Sequence, residues 1–225
     1  MNFTYNKFGR ISALSVWIRP IPPQSQPVHW RPHMNQVSTI QQRTDSPLAI
    51  RRLGVFLGAE VTGVDMSAPL DTATVAGIMA AHSEHGVLVF PDQHISSDDL
   101  MRFGRMIGPL SVHPFSTSTE ETPELIIYDN KEGNPPAPTD VWHTDETFRR
   151  APPMGTILCS KIIPETGGDT AFASMSAVYE GLSDRMQALI SGLEAIHDFK
   201  PFRALMPDTP EGIERCGDSK TLIRQ

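Results

Sequence analysis

The segment Val141–Phe148, with the sequence VWHTDETF, decides the fold and the chemistry of this 225-residue chain. Its β-branched and aromatic residues favour a strand, in which side chains two positions apart project from the same face. His143 and Asp145 would then point into one cavity. On a helix these side chains would diverge by about 200° and could not share an ion. The sequence therefore predicts an extended segment that presents an imidazole beside a carboxylate.

This pair of side chains is compatible with two interpretations. An imidazole and a carboxylate suit a borderline divalent ion, and one further His would complete the ligand set of non-haem Fe(II) oxygenases, which leaves three positions open. The same pair could instead be polar side chains at a strand end that bond to loop backbone. The motifs around the segment decide between the two.

Seven motifs in this chain, in this order and spacing, resemble the taurine/2,4-D family of Fe(II)- and 2-oxoglutarate-dependent dioxygenases. The likeness runs from residue 48 to residue 199. The motifs are residues 57–65 (LGAEVTGVD), 89–93 (VFPDQ), 103–104 (FG), 113–114 (HP), 142–148 (WHTDETF), 151–153 (APP) and 165–170 (ETGGDT). The resemblance implies a mainly β fold with flanking helices (α+β), a double-stranded β-helix or cupin-like jelly roll.

The resemblance also implies the activity and most of the site. The expected reaction hydroxylates a small anionic organic substrate, such as a taurine-like sulfonate, an alkyl sulfate or an aryloxy acid, with Fe(II), the cosubstrate 2-oxoglutarate and O₂. His143 and Asp145 would bind the metal. Thr170 would hydrogen-bond a carboxylate of 2-oxoglutarate, and His113 would bind the anionic group of the substrate.

Two positions near the expected substrate depart from the taurine enzymes. Ser116 stands where those enzymes resemble each other in carrying a Tyr, and Thr139 stands where they carry an Asn. Thr139 is therefore a candidate substrate-binding residue. Taurine itself is not implied, whereas the class of small organic anions still is.

Composition excludes several other classes of partner. The net charge of −7 argues against nucleic acid, whose phosphates need a basic face. No apolar run reaches the roughly 18 residues of a membrane span. Two cysteines, Cys159 and Cys216, cannot form a disulfide framework, which is consistent with a reducing, cytoplasmic location. A small molecule is the expected partner, and a homo-oligomer stays open.

The chain divides into three parts by composition. Residues 1–47 are predicted to be a basic, Pro-rich, disordered arm, because residues 1–44 hold five basic side chains and no acidic one. Such an arm is also compatible with an organelle transit peptide. Residues 48–199 are the predicted, partial jelly-roll domain. Residues 200–225 form a polar tail without strand periodicity.

Helix signals divide the central part. Asp71 and Ser96 are predicted to cap two helices that end at Gly86 and Gly108, and residues 175–190 carry amphipathic helical turns. Strands are predicted at 49–53, 59–64, 87–90, 124–128, 155–163, 170–174 and 193–197, with 87–90 buried. His82 and His85 lie three apart on the first helix, and we expect a solvated face there rather than a metal site.

The family pattern is incomplete in this sequence. Relatives of this type carry a second metal-binding His and an Arg for the far carboxylate of 2-oxoglutarate, and the only His after His143 is His197, which corresponds to a position outside the metal sphere. We therefore expect a C-terminally truncated chain with an incomplete jelly roll, weak iron binding and weak or absent turnover by itself. The alternatives are a non-catalytic remnant or interaction subunit of the same fold, and a cupin-like isomerase or hydrolase.

Overall fold

The computed structural model describes residues 2–3, 12–18, 48–113, 121–129, 142–197 and 223–224. Sheets with flanking helices make up this part of the chain. The strands are β1 (Asn2–Phe3), β2 (Ser12–Ile18), β3 (Ala49–Arg52), β4 (Ala59–Thr62), β5 (Leu88–Val89), β6 (Leu110–Ser111), β7 (Leu125–Asp129), β8 (Gly155–Ile162), β9 (Thr170–Ala171), β10 (Ile196–His197) and β11 (Ile223–Arg224). The helices are α1 (Thr72–His85), α2 (Ser97–Ile107), α3 (Met175–Glu180) and α4 (Asp184–Ile190).

The largest sheet is built around β2. Strand β8 pairs with it antiparallel along its whole length, from Ser12 to Ile18. Strand β7 pairs antiparallel with Ser12–Val16, and β6 with Trp17 and Ile18. Because β8 takes one complete edge of β2, β7 and β6 must follow each other along the opposite edge. Strands distant in sequence are thereby joined through one central strand.

The prediction of a disordered arm over residues 1–47 is wrong for Ser12–Ile18. This segment is the central strand of the largest sheet. Ile18 is 3% exposed, and its carbonyl accepts a hydrogen bond from the backbone N–H of Met154 at 2.9 Å. The segment is ordered because β7 and β8 satisfy its backbone groups from both sides. The predicted polar tail likewise contributes β11, which pairs with β10.

A second sheet has the order β3-β4-β5. Strands β3 and β4 pair antiparallel. Strands β4 and β5 pair parallel, and the helix α1 lies between them in the sequence. The prediction of a buried strand at 87–90 is wrong in its burial, since β5 is an edge strand and Val89 is 43% exposed. The other predicted strands of the central part are present within a few residues of their expected bounds, except that 170–174 and 193–197 shorten to two residues each.

Both predicted helix caps are confirmed. The Asp71 carboxylate accepts a hydrogen bond from the Thr74 backbone N–H at 2.8 Å, and α1 ends at Gly86 in a positive-φ conformation. Ser96 and Asp99 form a reciprocal capping box at the start of α2. These contacts satisfy the free N–H groups of the first turns, and they fix where each helix begins.

The core lies between α1, α2 and the sheet built around β2. Its buried members are Ile18, Met66, Ile78, Ile95, Leu100, Met101, Phe103, Leu110 and Leu125. In contrast, α3 and α4 have no buried residue. Within the described ranges, no helix is long and apolar enough to cross a membrane.

Because Ile18 of β2 packs into this core, truncating its side chain should destabilise the fold. We expect Ile18→Ala to lower the free energy of unfolding by about 2–5 kcal/mol, because it removes buried methyl groups and leaves a cavity. Ile163→Ala is the matched control, since Ile163 is 64% exposed and should contribute less than about 1 kcal/mol. Urea unfolding midpoints of both variants measure this. Equal midpoints would show that β2 does not pack into the core.

Candidate functional site

His143 and Asp145 meet although no strand holds them. Residues 142–144 have no regular secondary structure, and residues 145–148 form a turn, so the prediction of a strand in this segment is wrong. Glu146 has a φ of 46°, in the left-handed region, which turns the chain immediately after Asp145. His143 Nε2 nevertheless lies 3.4 Å from Asp145 Oδ1. The two side chains converge as expected, on an irregular backbone.

The geometry of this pair fits a shared metal ion. Two bonds of about 2.1 Å at right angles place the donor atoms about 3 Å apart. The separation of 3.4 Å is close to that value, and both side chains are about one quarter exposed. The hydroxyl of Thr156 in β8 donates to Asp145 Oδ2 at 3.4 Å. Thr156 thereby orients the carboxylate so that its other oxygen faces His143.

Within the described part of the chain, no third donor joins this pair. No group of three or more His, Cys, Asp or Glu side chains within it could hold a metal ion. A site with two protein ligands binds a metal less tightly than one with three.

His113 lies just beyond the end of β6, close to the same turn. Its Nε2 is 3.8 Å from Oε1 of Glu146. Burial, together with the positive charge of Arg149, lowers the pKa of His113 to about 4, although Asp145 opposes the shift. The imidazole is therefore neutral near pH 7, and it can take part in hydrogen bonds without carrying a charge.

Thr170 and Thr139 are the other two residues singled out from the sequence. Thr170 is half-buried in β9, opposite Phe3 of β1, in a two-stranded sheet separate from the sheet of β8. Thr139 and Ser116 lie outside the described residues. The site therefore groups His143, Asp145 and His113 around one turn, while Thr170 belongs to another sheet.

Sequence reasoning missed an ion pair beside the metal ligands. Arg149 Nε donates a hydrogen bond to Glu146 Oε1 at 2.7 Å, and Nη2 forms an ion pair with the same oxygen at 2.7 Å. The residue Glu146 is 4% exposed. Burial raises the pKa of its carboxyl, and Arg149 opposes that rise. The spacing of Glu146 and Arg149, opposite charges three residues apart, was the sequence signal for this ion pair. The same spacing is also common on exposed surfaces, so it did not single out a buried pair.

Tyr128 of β7 is the second group that the sequence did not single out. Burial raises its pKa to about 12, and the negative charges of Asp145 and Glu146 add to the shift. The phenol therefore stays protonated over the physiological range. The phenol therefore lies within electrostatic range of both carboxylates.

The expectation of a solvated face at His82 and His85 is wrong. His85 is buried, and its carbonyl accepts hydrogen bonds from the N–H groups of Gly58 and Val87. His82 is half-buried near Gly155, and burial lowers its pKa. The face packs inward because α1 connects the two strands of the parallel pair β4-β5. Both histidines therefore belong to the scaffold.

A family model described as "Taurine catabolism dioxygenase TauD, TfdA family" matches residues 46–219. The chain belongs to this family. The match covers all of the residues that form the turn and its surroundings, from His113 to Thr156. The resemblance noted in the sequence is thereby confirmed.

Family members of known activity are similar over most of this chain. It is 35% identical over 162 residues to an alkylsulfatase of Acinetobacter baylyi, a match that covers 72% of this chain and 50% of the relative. It is also 35% identical over 162 residues to an alpha-ketoglutarate-dependent sulfate ester dioxygenase of Pseudomonas putida, covering 71% and 53%. The chain thus spans about half the length of these relatives.

Solved structures of the same family share the fold. A taurine dioxygenase from Burkholderia xenovorans superposes with a TM-score of 0.57 at 30% identity, covering 68% of this chain and 54% of that one. AAD-2, crystallised with Mn(II) and N-oxalylglycine, superposes with a TM-score of 0.56 at 26% identity, covering 79% and 62%. The arrangement of sheets and helices is that of TauD-type dioxygenases.

The buried ion pair predicts a large effect of removing one partner. We expect Arg149→Met to lower the free energy of unfolding by about 2–4 kcal/mol, because it leaves the Glu146 carboxylate buried without its cation. The double variant Glu146→Gln/Arg149→Met should recover at least half of that loss, since it removes the unpaired charge. Urea unfolding of the three proteins measures both effects. A double variant no more stable than Arg149→Met would contradict this account.

Proposed function

We propose that this chain forms an Fe(II)- and 2-oxoglutarate-dependent dioxygenase site that hydroxylates a small anionic organic substrate. The observation that supports it best is the separation of 3.4 Å between His143 Nε2 and Asp145 Oδ1, half-buried beside β8. Membership of the dioxygenase family supplies the chemistry that such a pair can serve. Jelly-roll topology over residues 48–199 is part of the proposal.

His143 and Asp145 would hold the iron. A neutral imidazole nitrogen and a carboxylate oxygen are a donor set that suits Fe(II). When bound, the iron supplies O₂-dependent oxidation of a C–H bond, coupled to the conversion of 2-oxoglutarate into succinate and CO₂. Thr156 fixes the orientation of the Asp145 carboxylate through its second oxygen. Hydrogen bonds of this type keep a ligand aimed at its ion.

The remaining residues of the proposed site bind and orient the two organic anions. Thr170 would donate its hydroxyl to a carboxylate of 2-oxoglutarate. His113, held neutral by its low pKa, would donate one hydrogen bond to the anionic group of the substrate. Thr139 would contact the same substrate. These three assignments derive from the family resemblance and stay predictions.

The relatives indicate which anions to test. Relatives named for their substrates act on sulfate esters, (S)-phenoxypropionate and 2,4-dichlorophenoxyacetate. All three classes join an anionic group to a carbon skeleton through an oxygen or a short chain. We propose the same broad class here, with cytoplasmic location and homo-oligomer formation as further predictions.

The second candidate is a non-catalytic member of the fold. It is favoured by one observation, namely that the described residues provide two metal donors instead of three. Such a protein would bind little metal and would not turn over 2-oxoglutarate. A cupin-like isomerase or hydrolase would instead show metal-dependent activity without O₂ uptake.

Metal binding tests the two proposed ligands directly. With Mn(II) as a redox-stable probe in isothermal titration calorimetry, we expect one weak site per chain. His143→Ala and Asp145→Ala should each weaken it at least tenfold, because either change leaves a single protein donor. His94→Ala, in an exposed position before α2, is the matched control and should bind like the unchanged protein. Equal binding by all four proteins would refute the assignment.

Turnover separates the candidate functions. We expect the 225-residue chain with Fe(II) in air to release succinate slowly from 2-oxoglutarate, faster with an alkyl sulfate or aryloxy acid present, and not at all in Asp145→Ala. Retained Mn(II) binding without any succinate would favour the non-catalytic candidate. Rapid turnover would contradict the expectation that two ligands give weak activity, and metal-dependent conversion without O₂ uptake would favour the isomerase or hydrolase.

A further inference from the structure

We propose that Arg149 and Glu146 are positioning residues that tie the turn carrying Asp145 to the strand end carrying His113. The pair would thereby set the metal-binding and substrate-binding groups at a fixed separation. The inference rests on the proposed function, because it assigns the pair a role toward the same metal site. It adds two residues to which the family resemblance gave no role.

Arg149 connects two separate segments of the chain. Its guanidinium holds the Glu146 carboxylate through Nε and Nη2, as described above. The same Nη2 donates at 2.8 Å to the backbone carbonyl of Val112, the residue before His113. One planar group with fixed donor directions therefore joins the turn to the end of β6. Such a planar donor transmits position better than a flexible ammonium group.

Glu146 stabilises the turn through its backbone carbonyl and its buried side chain. Its carbonyl accepts a hydrogen bond from the Arg149 backbone N–H at 3.0 Å, which closes the turn. Its side chain is fully buried, with Oε1 paired to Arg149 and 3.8 Å from His113 Nε2. Within the part of the chain that the structure describes, Oε2 has no hydrogen-bond partner. A carboxylate buried at this cost is held for its geometry more than for its stability.

The backbone of Glu146 explains why the turn needs this support. A non-glycine residue with a φ of 46° is in a sparsely populated conformation that persists only where surrounding contacts fix it. Asp145 is the adjacent residue, so any relaxation of Glu146 redirects its carboxylate. Metal binding depends on donor placement to within a few tenths of an ångström. The Arg149–Glu146 pair would therefore influence metal binding through the position of Asp145.

The test measures Mn(II) affinity by calorimetry in the 225-residue chain and in five variants. Arg149→Met should weaken binding about tenfold or more, as losses of groups that orient metal ligands do. Arg149→Lys keeps the charge but loses the planar guanidinium, so its Mn(II) affinity should lie between those of the unchanged protein and Arg149→Met. Arg150→Met, at an exposed position next along the chain, should stay within about twofold of the unchanged protein.

The double variant Glu146→Gln/Arg149→Met separates positioning from stability. It should unfold at a higher urea concentration than Arg149→Met and yet bind Mn(II) as weakly, because the link to Val112 is still absent. Recovery of affinity together with stability would overturn the proposal, and so would Mn(II) binding by Arg149→Met within twofold of the unchanged protein. If Asp145→Ala loses binding while Arg149→Met keeps it, only the positioning role fails. If Asp145→Ala binds normally, the proposed function fails as well.

Discussion

Two donor atoms on residues two apart can meet at one point only if the backbone between and beyond them is fixed. In this chain the fixing element is the turn at residues 145–148, where Glu146 adopts a left-handed conformation. The turn is held from two directions, and a third group lies within electrostatic range of it. Arg149 ties it to the end of β6, Thr156 contacts the Asp145 carboxylate from β8, and Tyr128 of β7 is close enough to sense both carboxylates. The site thus depends on strands that pair with β2.

Most of the central part of the fold could be predicted from local patterns. Helix caps at Asp71 and Ser96, and apolar runs such as that of β8, are signals carried by neighbouring residues. Strand β2 could not be found in this way. It pairs with residues more than a hundred positions away, and the Pro-rich, acid-free sequence around it is typical of a disordered segment. Local composition describes what a segment does alone, whereas β2 is ordered by its partners.

The candidate site shows the same division between local and distant information. The convergence of His143 and Asp145 was predicted from spacing and family likeness, yet the assumed strand was wrong, because a turn places the same two side chains together. The Glu146–Arg149 pair was missed because its structural importance depends on burial, which the sequence does not show. The same two residues on an open surface would be a weak ion pair. Only the position of Val112, far away in sequence, makes Arg149 a link between segments.

The charges around the turn bear on how anions could enter. Asp145 and Glu146 each carry a negative charge, Arg149 carries one positive charge, and His113 is neutral because its pKa is low. These described groups therefore sum to one negative charge, which would oppose the approach of the two organic anions of the proposed function. A divalent ion on His143 and Asp145 would change that sum to one positive charge. Because attraction in a partly buried site is screened little by solvent, such a reversal of sign would, in the proposed function, favour binding of the metal before either anion.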